Sequence, residues 1–592
     1  MEVATLTRPA QVERAQAAAS GRPTAPRRRP RVDLIPIALA VLLIATFVLR
    51  LWGIKQGLPY SYNVDEEFHF VPKAITFFGH GLNPSYFLNP PAYSYVLNIV
   101  FELWFGGRDA VMRVYASNPT EVYVVARVVA SALGVIAVWL TYLTGKRLFD
   151  RGVGLLAAAI FGLAFLPIFY SHLALNDVPT LAPVALSLYG VAGVLRRGRT
   201  RDYVIAGIGV GLAAATKYTG GITLVCLLVA GACNVAGSEH RRVLRRLALG
   251  LAVALVAFLI ANPYAVLDSG SFIQGVKQQA SETDAAKLGS STVGGIDYYL
   301  WTFTWGFGWV PAVAAVIGSL LLIVRRRIAL ALVLIPATIV FIIFMGEQAR
   351  YFGRWLMPIF PIAAILAAYA AVELVRIISR ARVIPPVLAA AAVTILLLGQ
   401  SVTAVIHNDE VLSRPDTINT ARAWMVGHIP AGAKIVVEPM VPANWVYDLR
   451  RSLAATPSGQ RWITFNTGLT NIYPNYTPLP VGIHRTVLPD QYEGTLRPRL
   501  LHQYIANGYC WVVVSSLQAG RAYVNPKVPM AIAYYAALDR YGTLMFHLTP
   551  YSPGARAVPF NFDWSIDYYP RQYRLPGPVI SVYELHGEKC SS

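Results

Sequence analysis

The chain of 592 residues is apolar and basic: 55% of its residues are hydrophobic, 14% are charged, and its mean hydropathy is +0.48. A water-soluble fold of this size has too little interior for so many apolar side chains, which excludes a purely soluble protein. Lysine and arginine outnumber aspartate and glutamate by 51 to 31, but the excess lies in short clusters between apolar segments. It therefore indicates membrane topology rather than nucleic-acid binding.

The first 32 residues are predicted to be a disordered basic tail. They contain five arginines between Arg22 and Arg31 and almost no apolar periodicity. Residues 33–53 follow as an apolar segment of about 20 residues, the length that a helix needs to cross the hydrocarbon core. A signal peptide is the alternative, but a long leader precedes this segment and no small-residue cleavage site follows it, so we expect a retained helix.

Ten further segments are apolar and long enough to predict membrane-spanning helices: 121–146, 151–171, 179–195, 202–216, 218–235, 243–262, 301–324, 327–345, 355–376 and 384–405. Every second connection between them is rich in lysine and arginine: 146–151, 196–201, 241–246, 325–327 and 376–382. Because basic connections stay in the cytoplasm, this alternation predicts a multi-pass protein of the cell membrane with eleven spans and a cytoplasmic N-terminus.

Two regions are expected on the outer side of the membrane. The first is a large loop at 54–120, whose apolar stretch 91–106 is short for a crossing and rich in aromatic residues, so we expect it to lie in the interface. The second is residues 408–592, where a helical pattern precedes several short β-rich runs. These patterns lie at 416–428, 434–438, 511–516, 543–548 and 579–585.

The sequence therefore predicts an α-helical polytopic membrane protein, with a transmembrane domain at 33–405 and an extracytoplasmic α/β domain at 408–592. Four cysteines, without CxxC or Cys/His spacing, exclude a disulfide-dense scaffold and a zinc motif. Cys510 and Cys590 both fall in the outer domain. Spacing alone does not establish pairing, so two separate small residues are the favoured interpretation and a disulfide is the alternative.

Charged residues at a membrane edge are costly unless they line a wet cavity, so the outer side is where we expect chemistry. The first such cluster, in the 54–120 loop, contains Asp65, Glu66, Glu67, His69 and Lys73. In a helix, i, i+4 spacing would bring His69 beside both Asp65 and Lys73. Acidic side chains at the start of a helix also interact favourably with the helix dipole. This structural interpretation is adopted for Glu67. For Asp65 and Glu66, directly after the first span, a functional role is favoured.

Three later positions carry charge on the same side. Asp177 precedes Val-Pro, so capping of the next helix is as good an interpretation as catalysis. Lys217 lies between two apolar segments, where snorkelling to the interface would explain a single lysine. Arg350 and Arg354 precede another span, and interface anchoring explains one arginine better than two. Two guanidinium groups that face outward would suit a phosphate.

These residues, in this order, resemble the GT-C superfamily of membrane glycosyltransferases, and within it the bacterial relatives of protein O-mannosyltransferases and of the aminoarabinose transferase that modifies lipid A. The resemblance covers roughly residues 33–405. It rests on these motifs: the acidic pair Asp65 and Glu66, a Pro-Pro-aromatic stretch (Pro90, Pro91, Tyr93), the segment from RLFDRG to HLALND that ends at Asp177, TKYTG at 216–220, NPY at 262–264, and RYFGRWLMPIFP from Arg350.

The resemblance implies transfer of a sugar from a polyprenyl-phosphate donor in the membrane to an acceptor on the outer face, which could be a protein, a lipid or a glycan. Asp65 matches the catalytic aspartate of the first loop, and Asp177 matches the second acidic position. Lys217 and Arg350 match basic positions associated with the lipid phosphate. The sequence departs from the family in the third acid, Glu67, which leaves open which carboxylate is the base.

Asn176 is a second departure, because it precedes Asp177 where relatives vary. The other candidates come from the sequence itself: Glu66 as a further catalytic acid, and Arg354 and Lys73 as further phosphate-binding residues. No nucleic-acid partner is expected.

The chemistry follows from the donor. An anomeric carbon that carries a phosphate ester already has its leaving group, so the enzyme must deprotonate an acceptor hydroxyl and stabilise the departing phosphate. One carboxylate as general base, for which Asp65 is favoured, and one or two fixed cations suffice, and attack opposite the phosphate inverts the sugar. No cofactor is required, although a divalent metal could be held by Asp65 with His69, or by Asp65, Glu66 and Asp177.

Three alternatives remain open at this stage. A ligase or polymerase of lipid-linked glycans would share the membrane, the donor class and the outer acids. A transporter or lipid flippase would also have many helices and buried charges, but near the midplane at broken helices rather than gathered at one face. A receptor domain held by an inert bundle would not require Asp65, Asp177 and Arg350 to come together.

Overall fold

The computed structural model describes residues 33–235, 240–283, 294–350, 352–382, 384–448, 460–465, 489–524, 527–566 and 568–590. The predicted tail at 1–32 lies outside these residues. The chain divides into two units, Met1–Val41 and Leu42–Ser592. The described part of the first unit is the start of an apolar helix with mostly exposed side chains, and the second unit contains all other elements.

The membrane part is helical throughout. Its α-helices are Leu34–Leu51, Val71–His80, Ala92–Phe105, Arg108–Ser117, Thr120–Leu148, Arg151–Gly162, Phe165–Phe169, Leu181–Arg197, Thr200–Thr216, Thr223–Val235, His240–Ala261, Tyr264–Leu267, Ser269–Thr283, Gly295–Thr302, Trp309–Val324, Ile328–Gly346, Phe360–Ala381 and Pro386–Leu412. Short π-helices lie at Glu66–Phe70 and Phe303–Gly308, and 3₁₀ helices at Tyr170–His172, Tyr218–Ile222 and Gly353–Ile359.

Within the described residues, eight helices are long and apolar enough to cross a membrane, or nine if the bent pair Arg151–Gly162 and Phe165–His172 is one span. The predicted spans at 179–195 and 202–216 are the helices Leu181–Arg197 and Thr200–Thr216, of 17 residues each. At a rise of about 1.5 Å per residue they are about 26 Å long, at the lower end for a crossing. The predicted polytopic helical fold is confirmed, and the count of eleven spans stays a prediction.

The basic connections predicted to lie inside meet at one end of the bundle. Their contacts are Arg147 with Asp202, Arg246 with the Gly198 carbonyl, Arg376 with Asp150, and Arg327 over the Phe149 ring. Arg127 lies 20 residues before Arg147 on the helix Thr120–Leu148, or about 30 Å along it, which is the thickness of a hydrocarbon core. The charges expected outside are found at the Arg127 end, as the predicted topology requires.

The C-terminal domain is a five-stranded mixed sheet with helices. Its strands are β1 Lys434–Val437, β2 Ile463–Thr464, β3 Tyr509–Ser515, β4 Gly542–Leu548 and β5 Ile580–Leu585, in the order β2-β1-β3-β5-β4. β1 runs parallel to β2 and β3, whereas β5 runs antiparallel to β3 and β4. The helices are Thr417–His428, Arg499–Ala506, Ser516–Tyr523 and Pro529–Tyr541, with 3₁₀ helices at Ala443–Val446 and Pro489–Thr495.

All four predicted strands and the first predicted helix of this domain are present. β2 has only two residues, too few for a periodic pattern, so the sequence did not reveal it. The preceding helix, Pro386–Leu412, continues past the predicted end of the span at residue 405.

Cys510 and Cys590 form a disulfide with their Cα atoms 5.2 Å apart, so the favoured interpretation of separate cysteines is wrong. Cys510 lies on β3, and Cys590 follows β5, the antiparallel neighbour of β3. This pairing brings together two residues that are 80 positions apart. Disulfides persist in oxidising compartments, which agrees with an extracytoplasmic domain.

We expect Cys510 and Cys590 to be linked in protein taken from cells, because the outer compartment is oxidising. Peptide mass mapping without reductant, after alkylation, should give one linked peptide pair for these residues and alkylated peptides for Cys226 and Cys233, which are not disulfide-bonded. Recovery of Cys510 and Cys590 as separately alkylated thiols would contradict both the pairing and the outer placement.

Candidate active site

The first outer loop turns into a helix through a local hydrogen-bond arrangement. The Asn63 side-chain oxygen accepts from the backbone N–H of Asp65 at 3.1 Å and of Glu66 at 3.3 Å. Asn63, rather than Asp65, therefore satisfies the first donors of the turn, and the Asp65 side chain makes no capping hydrogen bond. The Asp65 carboxylate instead turns towards distant parts of the chain.

Glu66 is fully buried and accepts from four donors. Arg127 donates to both carboxylate oxygens at 2.7 Å, the Ser61 hydroxyl donates at 2.6 Å and the Ala174 N–H at 2.7 Å. Arg127 also donates to the carbonyls of residues 54 and 56. This bidentate pair attaches the first outer loop to the helix Thr120–Leu148 and to the turn before Asp177.

Arg354 lies between two aspartates from distant segments. Its Nη2 is 2.6 Å from Asp65 Oδ2, and its Nε is 3.9 Å from Asp177 Oδ2. Lys217 donates to the other oxygen of Asp177. The guanidinium also lies over the ring of Phe352, 5.0 Å from its centroid. Four segments thus bring together two acids and two cations, which we call the charge cluster: Asp65, Asp177, Lys217 and Arg354.

Exposure distinguishes the members of the charge cluster. The Asp65 side chain is 31% exposed, whereas those of Asp177, Lys217 and Arg354 are 4%, 13% and 14% exposed. An acceptor that approaches from solvent can therefore reach the Asp65 carboxylate, while Asp177 is enclosed by its two cationic neighbours.

The cap interpretation of Asp177 is wrong. The next helix begins at Leu181 with Thr180 in the N-cap position, so Asp177 lies before it in a turn. Its neighbour Asn176 donates to the carbonyl of Thr216 at 2.8 Å, which holds the segment that carries Lys217 against the turn that carries Asp177.

His69 and Lys73 lie at the edge of the charge cluster. His69 Nε2 is 3.8 Å from Asp65 Oδ1, and its ring stacks on Tyr86 with centroids 4.5 Å apart. Burial lowers the pKa of His69, against the opposing effect of Asp65. Lys73 donates to the Pro84 carbonyl at 3.0 Å, and burial lowers its pKa. It therefore supports the loop around Tyr86.

Two other predicted residues have different surroundings. Arg350 donates its backbone N–H to the carbonyl of Thr283 at 2.9 Å, and none of the ion pairs described above includes its side chain. Its role stays a prediction. Glu67 is half-buried rather than fully solvated.

The site residues do not fit a divalent metal. In the part of the chain that the structure describes, no three His, Cys, Asp or Glu residues are grouped as a metal site would need. Asp65 and His69 form only a pair, and Asp177 faces Lys217 and Arg354. Those two positive charges would repel a divalent cation and already supply the charge that it would bring. No step is therefore assigned to a metal.

Arg127 is the site residue that the sequence did not single out. It lies within the apolar segment 121–146, and a charge inside a predicted span is itself a signal of function or pairing. Its partner could not be named, because Glu66 is 61 positions away.

The described residues also line an open cavity of about 670 Å³ between the helical membrane part and the C-terminal domain. Four of its nine lining residues are aromatic: Trp305, Trp309, Trp564 and Tyr568. No member of the charge cluster lines it, so the candidate site is defined by its charges rather than by this cavity.

Residues 89–266 match the family model described as dolichyl-phosphate-mannose-protein mannosyltransferase. The whole structure is similar to the oligosaccharyltransferase of Archaeoglobus fulgidus in its apo form, with a TM-score of 0.52 and 13% identity over 89% of this chain and 75% of that chain. This likeness supports the predicted polytopic helical fold. The family model covers less than a third of the chain, so the glycosyltransferase activity stays a prediction at this point.

Two further solved structures are similar. ArnT from Cupriavidus metallidurans in the apo state has a TM-score of 0.48 and 15% identity, over 92% of this chain and 98% of that chain. The Pmt1-Pmt2 protein O-mannosyltransferase complex of S. cerevisiae has a TM-score of 0.33 and 20% identity, over 40% of this chain and 34% of that chain. The sequence has no match among curated proteins.

We expect Arg127→Ala to destabilise the protein strongly, because it leaves the charge of Glu66 buried without its partner. Breaking such a pair by removing one partner lowers the free energy of unfolding by about 3–5 kcal/mol. Thermal unfolding in detergent should show a large fall in midpoint. Arg113→Ala is the matched control, since Arg113 is exposed in the same loop and its loss should cost about 0.5 kcal/mol or less. Equal midpoints for the two variants would contradict a structural role for the Arg127–Glu66 pair.

Proposed function

We propose that the protein transfers a sugar from a polyprenyl-phosphate donor to a hydroxyl acceptor at the outer face of the membrane, with inversion at the anomeric carbon. The observation that carries this proposal is the charge cluster, in which an exposed carboxylate and two cations meet at one end of the helix bundle. The family model that matches residues 89–266, a range that includes Asp177 and Lys217, is named for enzymes with a dolichyl-phosphate-mannose donor.

Asp65 is the general base in this proposal. It accepts the proton of the acceptor hydroxyl while the hydroxyl oxygen attacks the anomeric carbon and the bond from that carbon to the phosphate oxygen breaks. The products are the glycosylated acceptor, a protonated Asp65 and a polyprenyl phosphate. Because nucleophile and leaving group lie on opposite sides of the carbon, the configuration inverts.

Arg354 and Lys217 stabilise the leaving group. The phosphodiester of the donor carries one negative charge and the released phosphate monoester acquires a second, so the demand for positive charge increases in the transition state. A guanidinium can bind two phosphate oxygens at once, whereas the Lys217 ammonium acts as a point charge. Both are less than 15% exposed, which strengthens their effect relative to cations in water.

The contact between Arg354 and Asp65 gives donor binding a second effect. A nearby cation favours the charged form of a carboxylate and makes it a weaker base. When the donor phosphate also contacts the guanidinium, the cation is shared between two anions and stabilises the Asp65 carboxylate less. The base therefore becomes effective when a donor is bound.

The remaining candidates have supporting roles in this proposal. Glu66 is assigned to positioning rather than to proton transfer, because four donors occupy its oxygens. Lys73 and Arg350 are proposed to contribute positive charge near the entrance for the donor. His69 limits the movement of the Asp65 carboxylate through their i, i+4 contact.

We expect Asp65→Asn to lower turnover by about 10²- to 10⁴-fold, since the amide cannot accept the proton and general base catalysis is worth about that factor. Purified protein in lipid would be incubated with a panel of radiolabelled polyprenyl-phosphate sugars and an extract of envelope acceptors, and label that leaves the lipid would be counted. Glu67→Gln is the matched control and should be mild.

Near-normal turnover of Asp65→Asn at matched expression and thermal stability would remove Asp65 as the base and transfer the role to Asp177. Label that leaves only lipid-linked oligosaccharides, and no single-sugar donor, would instead favour a glycan ligase or polymerase.

We expect Arg354→Ala to reduce turnover by about 10²- to 10³-fold, the usual effect of removing one donor that stabilises a developing negative charge. Arg350→Ala should raise the apparent KM for donor with a smaller effect on turnover. Initial rates with donor varied at fixed acceptor, and with acceptor varied at fixed donor, would separate these effects. A change confined to the KM for acceptor in both variants would contradict the assignment of either arginine to the phosphate.

A further inference from the structure

A loop of the C-terminal domain reaches the segment that carries Arg354. Asp563 is only 3% exposed, and the Tyr298 hydroxyl lies 2.9 and 2.7 Å from its two carboxylate oxygens. The backbone N–H of Gly353 donates to Asp563 Oδ1 at 3.4 Å. Gly353 is the first residue of the 3₁₀ helix Gly353–Ile359, and Arg354 is the second. One carboxylate of the outer domain thus contacts the chain directly before the main cation of the charge cluster.

The close approach at this point favours glycine. A Cβ atom on residue 353 would lie 3.0 Å from Asp563 Oδ1 and 3.1 Å from the ring of Trp305. The start of the 3₁₀ helix is therefore enclosed between a side chain of the outer domain and a side chain of the membrane part. Such a backbone position has little freedom to shift.

Hydrogen bonds and aromatic contacts hold the loop that carries Asp563. The Asn561 side-chain oxygen accepts from the backbone N–H of Asp563 at 3.0 Å and of Trp564 at 3.1 Å, and the Tyr568 N–H donates to the Asp563 carbonyl at 2.7 Å. The Tyr568 ring packs edge-on against Phe165, with centroids 4.8 Å apart. The loop is thus anchored on the membrane part beside Asp563.

Charge supports the geometry. Burial raises the pKa of Asp563 to about 6, against the lowering effect of the Tyr298 hydroxyl, the Gly353 N–H and Arg354. Because Arg354 is among the groups that lower this pKa, the Asp563 carboxylate and the Arg354 guanidinium attract each other.

The same domain also contacts the chain on the other side of the charge cluster. The Tyr62 hydroxyl donates to the Asn419 side-chain oxygen at 2.5 Å, and the Asn419 amide donates to the Gly57 carbonyl at 2.9 Å. Tyr62 lies three residues before Asp65. The domain therefore touches both segments whose side chains form the Asp65–Arg354 pair.

We propose that Asp563 is a positioning residue of the candidate active site, through which the docked C-terminal domain fixes the start of the helix Gly353–Ile359 and the direction of the Arg354 guanidinium. The proposal rests on the proposed function for its kinetic consequence. The alternative is that Asp563 contributes only stability, in which case its loss would leave the turnover of folded protein unchanged.

Asp563→Asn is the first variant, because it keeps the size and one acceptor oxygen but removes the charge. We expect turnover to fall about tenfold at matched thermal stability, with less than a threefold change in the KM for acceptor, since Arg354 acts on the leaving group. Small misplacements of a catalytic group have effects of this size. Glu438→Gln is the control, because Glu438 is a buried acid of the same domain, bonded to Ser515 and Tyr535 and remote from Arg354 in its contacts.

A double-mutant cycle tests whether the effect passes through Arg354. The Arg354→Lys background has no guanidinium whose direction Asp563 could set. In it, Asp563→Asn should therefore lower turnover by less than twofold. The same tenfold loss in both backgrounds would overturn the proposal. If Asp563→Asn does not fold, Tyr298→Phe takes its place. This variant removes the hydroxyl that holds the Asp563 carboxylate, so turnover should fall in the same way but by a smaller factor.

Hydrogen exchange separates this proposal from the proposed function. Asp563→Asn should increase amide exchange in residues 353–359 relative to wild type and to Glu438→Gln, and it should leave the core strands β1 and β3 unchanged. Unchanged exchange in 353–359 would overturn the positioning role whatever the activity. If the wild type transfers no sugar from any donor, the proposed function fails, while the exchange result still decides whether Asp563 holds this segment.

Discussion

The guanidinium of Arg354, held between two aspartates from separate segments, is the interaction on which the outer end of the molecule depends. A charge that is 14% exposed beside a membrane is costly unless it is paired. Pairing it with Asp65 and Asp177 requires the first outer loop, the turn before residue 181 and the segment before residue 360 to meet. The buried Arg127–Glu66 pair and the Asn63 turn keep the first of these segments in place, and the contacts of Gly353 keep the last.

The two ends of the bundle use the same residue types for different purposes. At the predicted inner end, Arg376 and Asp150 are 44% and 40% exposed, so their ion pair is screened by water and is worth about 1 kcal/mol or less. Such pairs connect neighbouring helices and retain the basic residues that set topology. At the predicted outer end the pairs are largely enclosed, and Asp65 is the member of the charge cluster that is most exposed to solvent. Within the charge cluster, exposure therefore separates Asp65, the proposed base, from the enclosed Asp177.

Local patterns predicted the helices, four strands and most of the charge cluster. Lys217 stands out in the sequence because two apolar segments flank it. Arg354 stands out because it directly precedes a predicted span, and Asp65 because it lies in an acidic cluster after the first span. Pairings across long distances could not be predicted. Spacing did not reveal that Cys510 meets Cys590, and a single acid in the tail domain gave no sign of a contact with Gly353. The capping hypothesis for Asp177 failed because Val-Pro suits a helix start in general, whereas here the chain makes one more turn first.

In the proposed reaction, the net charge of the site does not change as bonds rearrange. The charge cluster alone is neutral, with two carboxylates and two cations, and a bound phosphodiester adds one negative charge. During transfer Asp65 gains a proton and becomes neutral, while the leaving phosphate gains one negative charge. The charge thus moves from one side of Arg354 to the other, and the guanidinium can contact both groups without moving far. The same cation thus contacts the base before the reaction and the leaving group after the reaction. Because it is preorganised, it needs little rearrangement in the transition state. This is the physical advantage of placing Arg354 between the two groups.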